Sequence, residues 1–90
     1  MPQVWIPSTW RDLTAGSEKV FVSGLSIRHV VDNLEASFPG LRSRLCDGDQ
    51  IKKYIAVVVN GVTSYEGLRQ SVAEDSEIHI LPVIRGGMFP

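Results

Sequence analysis

The chain has 90 residues, 43% of them hydrophobic and 21% charged, with a formal net charge of −1. That length holds one core and little more, and the composition is that of a folded domain rather than a disordered segment. The charge balance gives no electrostatic basis for nucleic-acid binding, and no apolar run reaches the ~20 residues that span a bilayer, so neither nucleic acid nor membrane is an expected partner.

Arg42, Arg44, Lys52 and Lys53 come closest to a basic cluster, but Asp47 and Asp49 interrupt them, as on a solvated face. Met1-Pro2-Gln3-Val4-Trp5 lacks the basic and apolar regions of a signal peptide. The single cysteine, Cys46, excludes an internal disulfide, and a cytoplasmic location is expected. No cysteine-protease signature surrounds Cys46, which reads as a structural or merely exposed thiol.

In chain order, Gln3 to Pro7 predicts a short strand with Val4 and Ile6 on one face and Trp5 on the other. Ser8 to Gly16 reads as a turn region in which Trp10 and Leu13 share one helical turn. Glu18 to Ser23 alternates again, Val20 and Val22 against Phe21, and the two strands pair most simply as antiparallel neighbours. Ser26 is a suitable N-cap for a helix whose stripe is Ile27, Val30, Val31, Leu34 and Phe38. Pro39-Gly40 ends it. His29 falls on the flank, with no second metal-binding residue at helical spacing.

Leu41 and Leu45 predict another short turn, and Asp47-Gly48-Asp49 breaks the chain. Tyr54 to Asn60 is a β-branched strand closed by Asn60-Gly61, a strong turn signal. Tyr65, Leu68 and Val72 have the spacing of a short helical turn, and Glu77 to Ile84 forms the last strand. One helix covers one face of a sheet this small, which makes the domain an α+β layer pair.

The last two strands are apolar on both faces. With Ile55, Val57, Ile78 and Ile80 under the helix, Ala56, Val58, Leu81 and Val83 form a second apolar patch, with His79 at its edge. Such a patch is expected to be a protein interface; the alternative is that segments 41–53 or 62–76 cover it. Beyond Ile84 lies Arg85-Gly86-Gly87. Two successive glycines let the backbone thread a narrow channel, and three extended residues reach about 10 Å. Gly87 is followed by Met88-Phe89-Pro90, so its carbonyl is held in a peptide bond. No acid–base pair, metal cluster or phosphate loop is present, and no enzyme activity is expected of the chain itself.

Taken together, Ile6-Pro7, Arg11-Asp12-Leu13-Thr14, Gly16, Phe38-Pro39-Gly40-Leu41, Val57-Val58-Val59-Asn60-Gly61 and Ile80-Leu81-Pro82-Val83-Ile84-Arg85-Gly86-Gly87 resemble the ThiS/MoaD sulfur carriers. The Ile-Pro and Phe-Pro-Gly-Leu pieces resemble the CysO-like branch. One departure is Asp75-Ser76, which stands where the family commonly has Gly-Asp before the last strand. The resemblance implies a ubiquitin-like β-grasp, with a mixed four- to five-stranded sheet and one main helix on one face. It implies a carrier domain over residues 1–87 and a removable extension over 88–90. An E1-like adenylating enzyme would use ATP to activate Gly87, with Gly86 giving clearance and Arg85 a charged contact at the channel mouth. A sulfur source would then leave a thiocarboxylate for a biosynthetic acceptor, a cysteine synthase-like protein before thiamine, molybdopterin or a thiocarboxylate natural product. A zinc-dependent JAMM-type metallopeptidase would cut between Gly87 and Met88. The alternatives are a ubiquitin-like modifier joined to other proteins through Gly87, and a β-grasp binding subunit whose Gly-Gly is incidental.

Overall fold

The computed structural model describes residues 1–82. Five strands form one sheet: β1 (Gln3–Trp5), β2 (Lys19–Phe21), β5 (Ile55–Val59), β6 (Val62–Thr63) and β7 (Glu77–Pro82). Their spatial order is β2-β1-β7-β5-β6. β1 and β7 are parallel, and every other pair in the sheet is antiparallel. The main helix, α1 (Ile27–Ser37), lies on one face, and a short helix, α2 (Leu41–Leu45), follows it. This is the α+β arrangement expected from the sequence.

Each element forms for a local reason. Ser26 Oγ accepts a hydrogen bond from the His29 N–H at 3.2 Å, satisfying one of the first-turn donors of α1. Pro39 disfavours the helical conformation at Phe38, which takes φ −135° and ends the helix. Gly40, at φ 107°, then turns the chain into α2. Its N–H and that of Arg42 both donate to the Glu35 carboxylate, the latter at 2.9 Å, so a side chain of α1 caps α2. Asn60 and Gly61, at φ 52° and 83°, form the two-residue turn between β5 and β6.

The core lies between the sheet and α1. Val4, Ile6, Val20, Val22, Ile55, Val57, Ile78 and Ile80 meet Ile27, Val30, Val31 and Leu34. Leu41, Leu45, Leu68 and Val72 join this same cluster. Segments 41–53 and 62–76 therefore contribute their buried residues to the helix side. Each fully buried aliphatic side chain stabilises the fold by about 1.5–3 kcal/mol relative to exposure.

The structure corrects several local readings. Cys46–Asp47 and Gln50–Ile51 pair as a small hairpin, β3 and β4, where the sequence predicted only a break. Val62–Thr63 is a strand pairing with β5, and the helical turn beyond it shrinks to one 3-10 turn at Gly67–Arg69. Tyr65 is 92% exposed and contributes nothing to the core. Cys46 is buried, which settles its placement as internal rather than exposed.

Candidate functional site

Strand alternation places Ala56, Val58, His79 and Leu81 on the sheet face opposite α1. Ala56 pairs with Leu81 and Val58 with His79 in the β5–β7 register, so the four are adjacent. Leu81 is 48% exposed, while Ala56 and Val58 are half-buried among their neighbours. Val83, the fourth member of the expected patch, lies outside the described residues, as do Arg85, Gly86, Gly87 and Met88.

The face extends further than the sequence reading took it. Trp5 is the register partner of Lys19 in β2 and of His79 in β7. Its indole stacks on the His79 imidazole with ring centroids 5.3 Å apart and planes 7° from parallel. The Lys19 ammonium lies 5.2 Å from the centre of the Trp5 ring and 5.7 Å from that of Phe21, within range of cation–π attraction. A single row, Lys19–Trp5–His79–Val58–Thr63, thus crosses all five strands. Alternation within β1 had already separated Trp5 from Val4 and Ile6. What it lacked was the parallel β1–β7 pairing that sets Trp5 beside His79.

Three arginines among the described residues are engaged elsewhere. Arg44 grips Asp12 through two hydrogen bonds of 3.1 and 3.2 Å, and that guanidinium holds the Asp12 carboxyl below its ordinary range. Arg42 pairs with Asp32, and Arg28 with Asp49 at 3.7 Å. The basic cluster seen in the sequence is therefore interleaved with acids, as a solvated face requires. Burial pushes the Cys46 thiol up, away from the thiolate a nucleophile needs. His29 is exposed on the flank of α1. A surface groove of about 420 Å³, lined in part by Val59, Val62, Gln70 and Val72, contains no titratable side chain. No helix among the described residues is long and apolar enough to cross a membrane.

Comparison with known proteins places the chain in a family. The sequence model of the ThiS family matches residues 4–87, ending on the second glycine of the tail. The sulfur carrier protein CysO of Mycobacterium tuberculosis is 32% identical over 89 residues, covering 93% of this chain and 96% of the relative. Among solved structures, the crystal structure of the Amycolatopsis orientalis BexX/CysO complex superposes with a TM-score of 0.91 at 28% identity, covering 97% of this chain and 100% of that one. The solution structure of small archaeal modifier protein 1 from Methanosarcina acetivorans gives 0.77 at 26% identity, covering 96% and 95%. The ubiquitin-like β-grasp implied by the sequence resemblance is therefore the observed fold.

Proposed function

The chain belongs to the ThiS family, and on that premise we propose that it is a sulfur carrier matured by cleavage after Gly87. Hydrolysis of the Gly87–Met88 bond by a JAMM-type metallopeptidase frees the Gly87 carboxylate and releases Met-Phe-Pro. An adenylating enzyme then joins that carboxylate to AMP from ATP, with pyrophosphate leaving. Sulfide attacks the acyl carbon and displaces AMP, and Gly87 ends in a thiocarboxylate. The chain supplies the carboxylate and the handle by which it is held. ATP and sulfide are handled by its partner.

The observation that carries this reading is the family match, which runs from Val4 to Gly87 and leaves out Met88-Phe89-Pro90. The similarity to CysO favours cysteine biosynthesis as the destination of the sulfur, through a cysteine synthase-like acceptor. The exposed Leu81 beside Ala56 and Val58 supports this sheet face as the surface that docks on the adenylating enzyme. Delivered from that face, the Gly-Gly backbone reaches an active site that admits no side chain.

Mass spectrometry tests the proposal. The chain ending at Gly87, incubated with a cognate adenylating enzyme, ATP and sulfide, gains the mass difference of sulfur for oxygen. The full-length chain does not. Equal conversion of both forms would remove the maturation step.

A second reading, conjugation to lysines of other proteins through Gly87, is favoured by the likeness to small archaeal modifier protein 1. It shares the adenylation step and diverges after it. Covalent ladders that depend on Gly87 in cell extracts would favour conjugation, and a soluble thiocarboxylate without ladders favours the carrier.

A further inference from the structure

The Lys19–Trp5–His79 row lies on the docking face but outside the patch of Ala56, Val58 and Leu81. Lys19 sits on an edge strand, exposed, with its ammonium held over two aromatic rings. No carboxylate stands within 4 Å of it among the described residues, whereas Arg28, Arg42 and Arg44 each have an acidic partner. An exposed lysine usually keeps full rotamer freedom, and a partner that binds it must first order it. Here the Trp5 and Phe21 rings bias the ammonium toward one place before any partner arrives.

Position links this row to the tail. β1 and β7 run in parallel, and Trp5 sits opposite His79, three residues before Pro82 at the end of β7. The row therefore crosses the same strand that leads into the tail, about 10 Å before the strand ends. Through His79 it is also continuous with Val58, its partner in β5. A membrane or nucleic-acid surface would call for several cations, and this face carries Glu77 beside His79, with their side chains 3.9 Å apart. The surrounding area is aromatic and aliphatic, which fits a protein.

We infer that the adenylating enzyme covers the Lys19–Trp5–His79 row as well as the Leu81 patch, and that it presents a carboxylate to the Lys19 ammonium. This inference rests on the carrier reading above. The carboxylate would form a charge-assisted hydrogen bond with a pre-placed donor, and the Trp5–His79 stack would supply the apolar floor beside it.

The test is steady-state adenylation of the chain ending at Gly87, followed by pyrophosphate release with the cognate enzyme. Lys19→Glu is expected to raise KM roughly tenfold with kcat unchanged, because charge reversal replaces attraction with repulsion across the interface. Lys19→Arg keeps a cation able to stack and to bind a carboxylate, and is expected to stay near the wild-type KM. The wild-type KM is expected to rise with ionic strength, and Lys19→Met to lose most of that dependence. Thermal melts of the three variants check that each remains folded. A wild-type chain that is not adenylated would overturn the carrier reading and this inference with it. A wild-type chain that is adenylated while Lys19→Glu keeps its KM would overturn the inference alone.

Discussion

Asn60 and Glu77 exchange two hydrogen bonds: Asn60 Oδ1 accepts from the Glu77 N–H at 2.8 Å, and the Asn60 N–H donates to the Glu77 carbonyl at 2.8 Å. One residue of a turn thereby fastens the β5–β6 hairpin to the start of the central strand. The same residue adopts φ 52°, which asparagine tolerates better than most residues. Asn60→Ala removes the side-chain acceptor and leaves an alanine in the left-handed region. The expected loss is about 1–3 kcal/mol, read from the denaturant midpoint. Asn60→Asp keeps the acceptor and is expected to lose less.

Gly24 precedes α1 at a point where a β-carbon has no room. A methyl there would stand 2.7 Å from Val30 Cγ2 and 2.9 Å from the Val30 backbone nitrogen. The backbone cannot yield as a side chain can, so Gly24→Ala is expected to cost about 2–4 kcal/mol. By contrast, Gly48 has open space around the same position, and its φ of 67° alone sets the penalty. Gly48→Ala is expected to cost about 1 kcal/mol. Paired thermal melts would show the difference, and equal losses would refute the steric account.

The Asp12–Arg44 pair joins the turn after β1 to α2, and its contribution depends on pH. The folded-state pKa of Asp12 lies below the ordinary value of 3.8, because Arg44 favours the charged carboxylate. Its stabilisation is therefore present above that ordinary value and lost as pH falls through the lower folded-state value. Asp12→Asn is expected to be less stable than wild type at neutral pH, by an amount that shrinks in high salt. The gap closes on acidification. Denaturant titrations at neutral pH and at a pH well below 3.8 check it.

Cys46 is 6% exposed, and its pKa is raised by burial. Its reaction with a thiol reagent is expected to be slow in the native state and immediate in denaturant. The native rate should follow the opening equilibrium of the α2–β3 region rather than reagent access. Fast labelling without denaturant would contradict the packing described for Cys46.

Leu81 is the most exposed of the described patch residues. If the sheet face docks on the adenylating enzyme, Leu81→Asp places a charge in the desolvated part of that contact. KM is then expected to rise about tenfold or more, with the melting temperature nearly unchanged. A variant that melts normally and keeps the wild-type KM would move the docking surface elsewhere.

The sequence made the long elements legible and the short ones not. Val4, Val20, Val57 and Ile78 alternate with residues of the other face over several positions, so the period grouped each with its face-mates, and the single helix stripe then pointed to the face it covers. The helix stripe through Ile27, Val30, Val31 and Leu34 was as clear. Two-residue strands such as Val62–Thr63 have no period to detect, and Asp47-Gly48-Asp49 shows a turn without showing that its flanks pair. Tyr65 had helical spacing to Leu68 by coincidence, because Gly67 at φ 60° breaks the turn between them. At the candidate site, Ala56, Val58 and Leu81 followed from alternation within single strands. Lys19 and Trp5 lie within the antiparallel pair the sequence suggested, whereas the Trp5–His79 contact required knowing that β7 runs parallel beside β1, which no local pattern shows.

The placement of β7 also has a mechanical consequence. It is the middle strand of the sheet, hydrogen-bonded to parallel β1 on one side and antiparallel β5 on the other. A force applied along the axis of β7 would load both ladders in shear, so that their bonds must break together. An edge strand pulled sideways would instead unzip one bond at a time. The strand that leads to the tail is thus the one most firmly tied into the sheet.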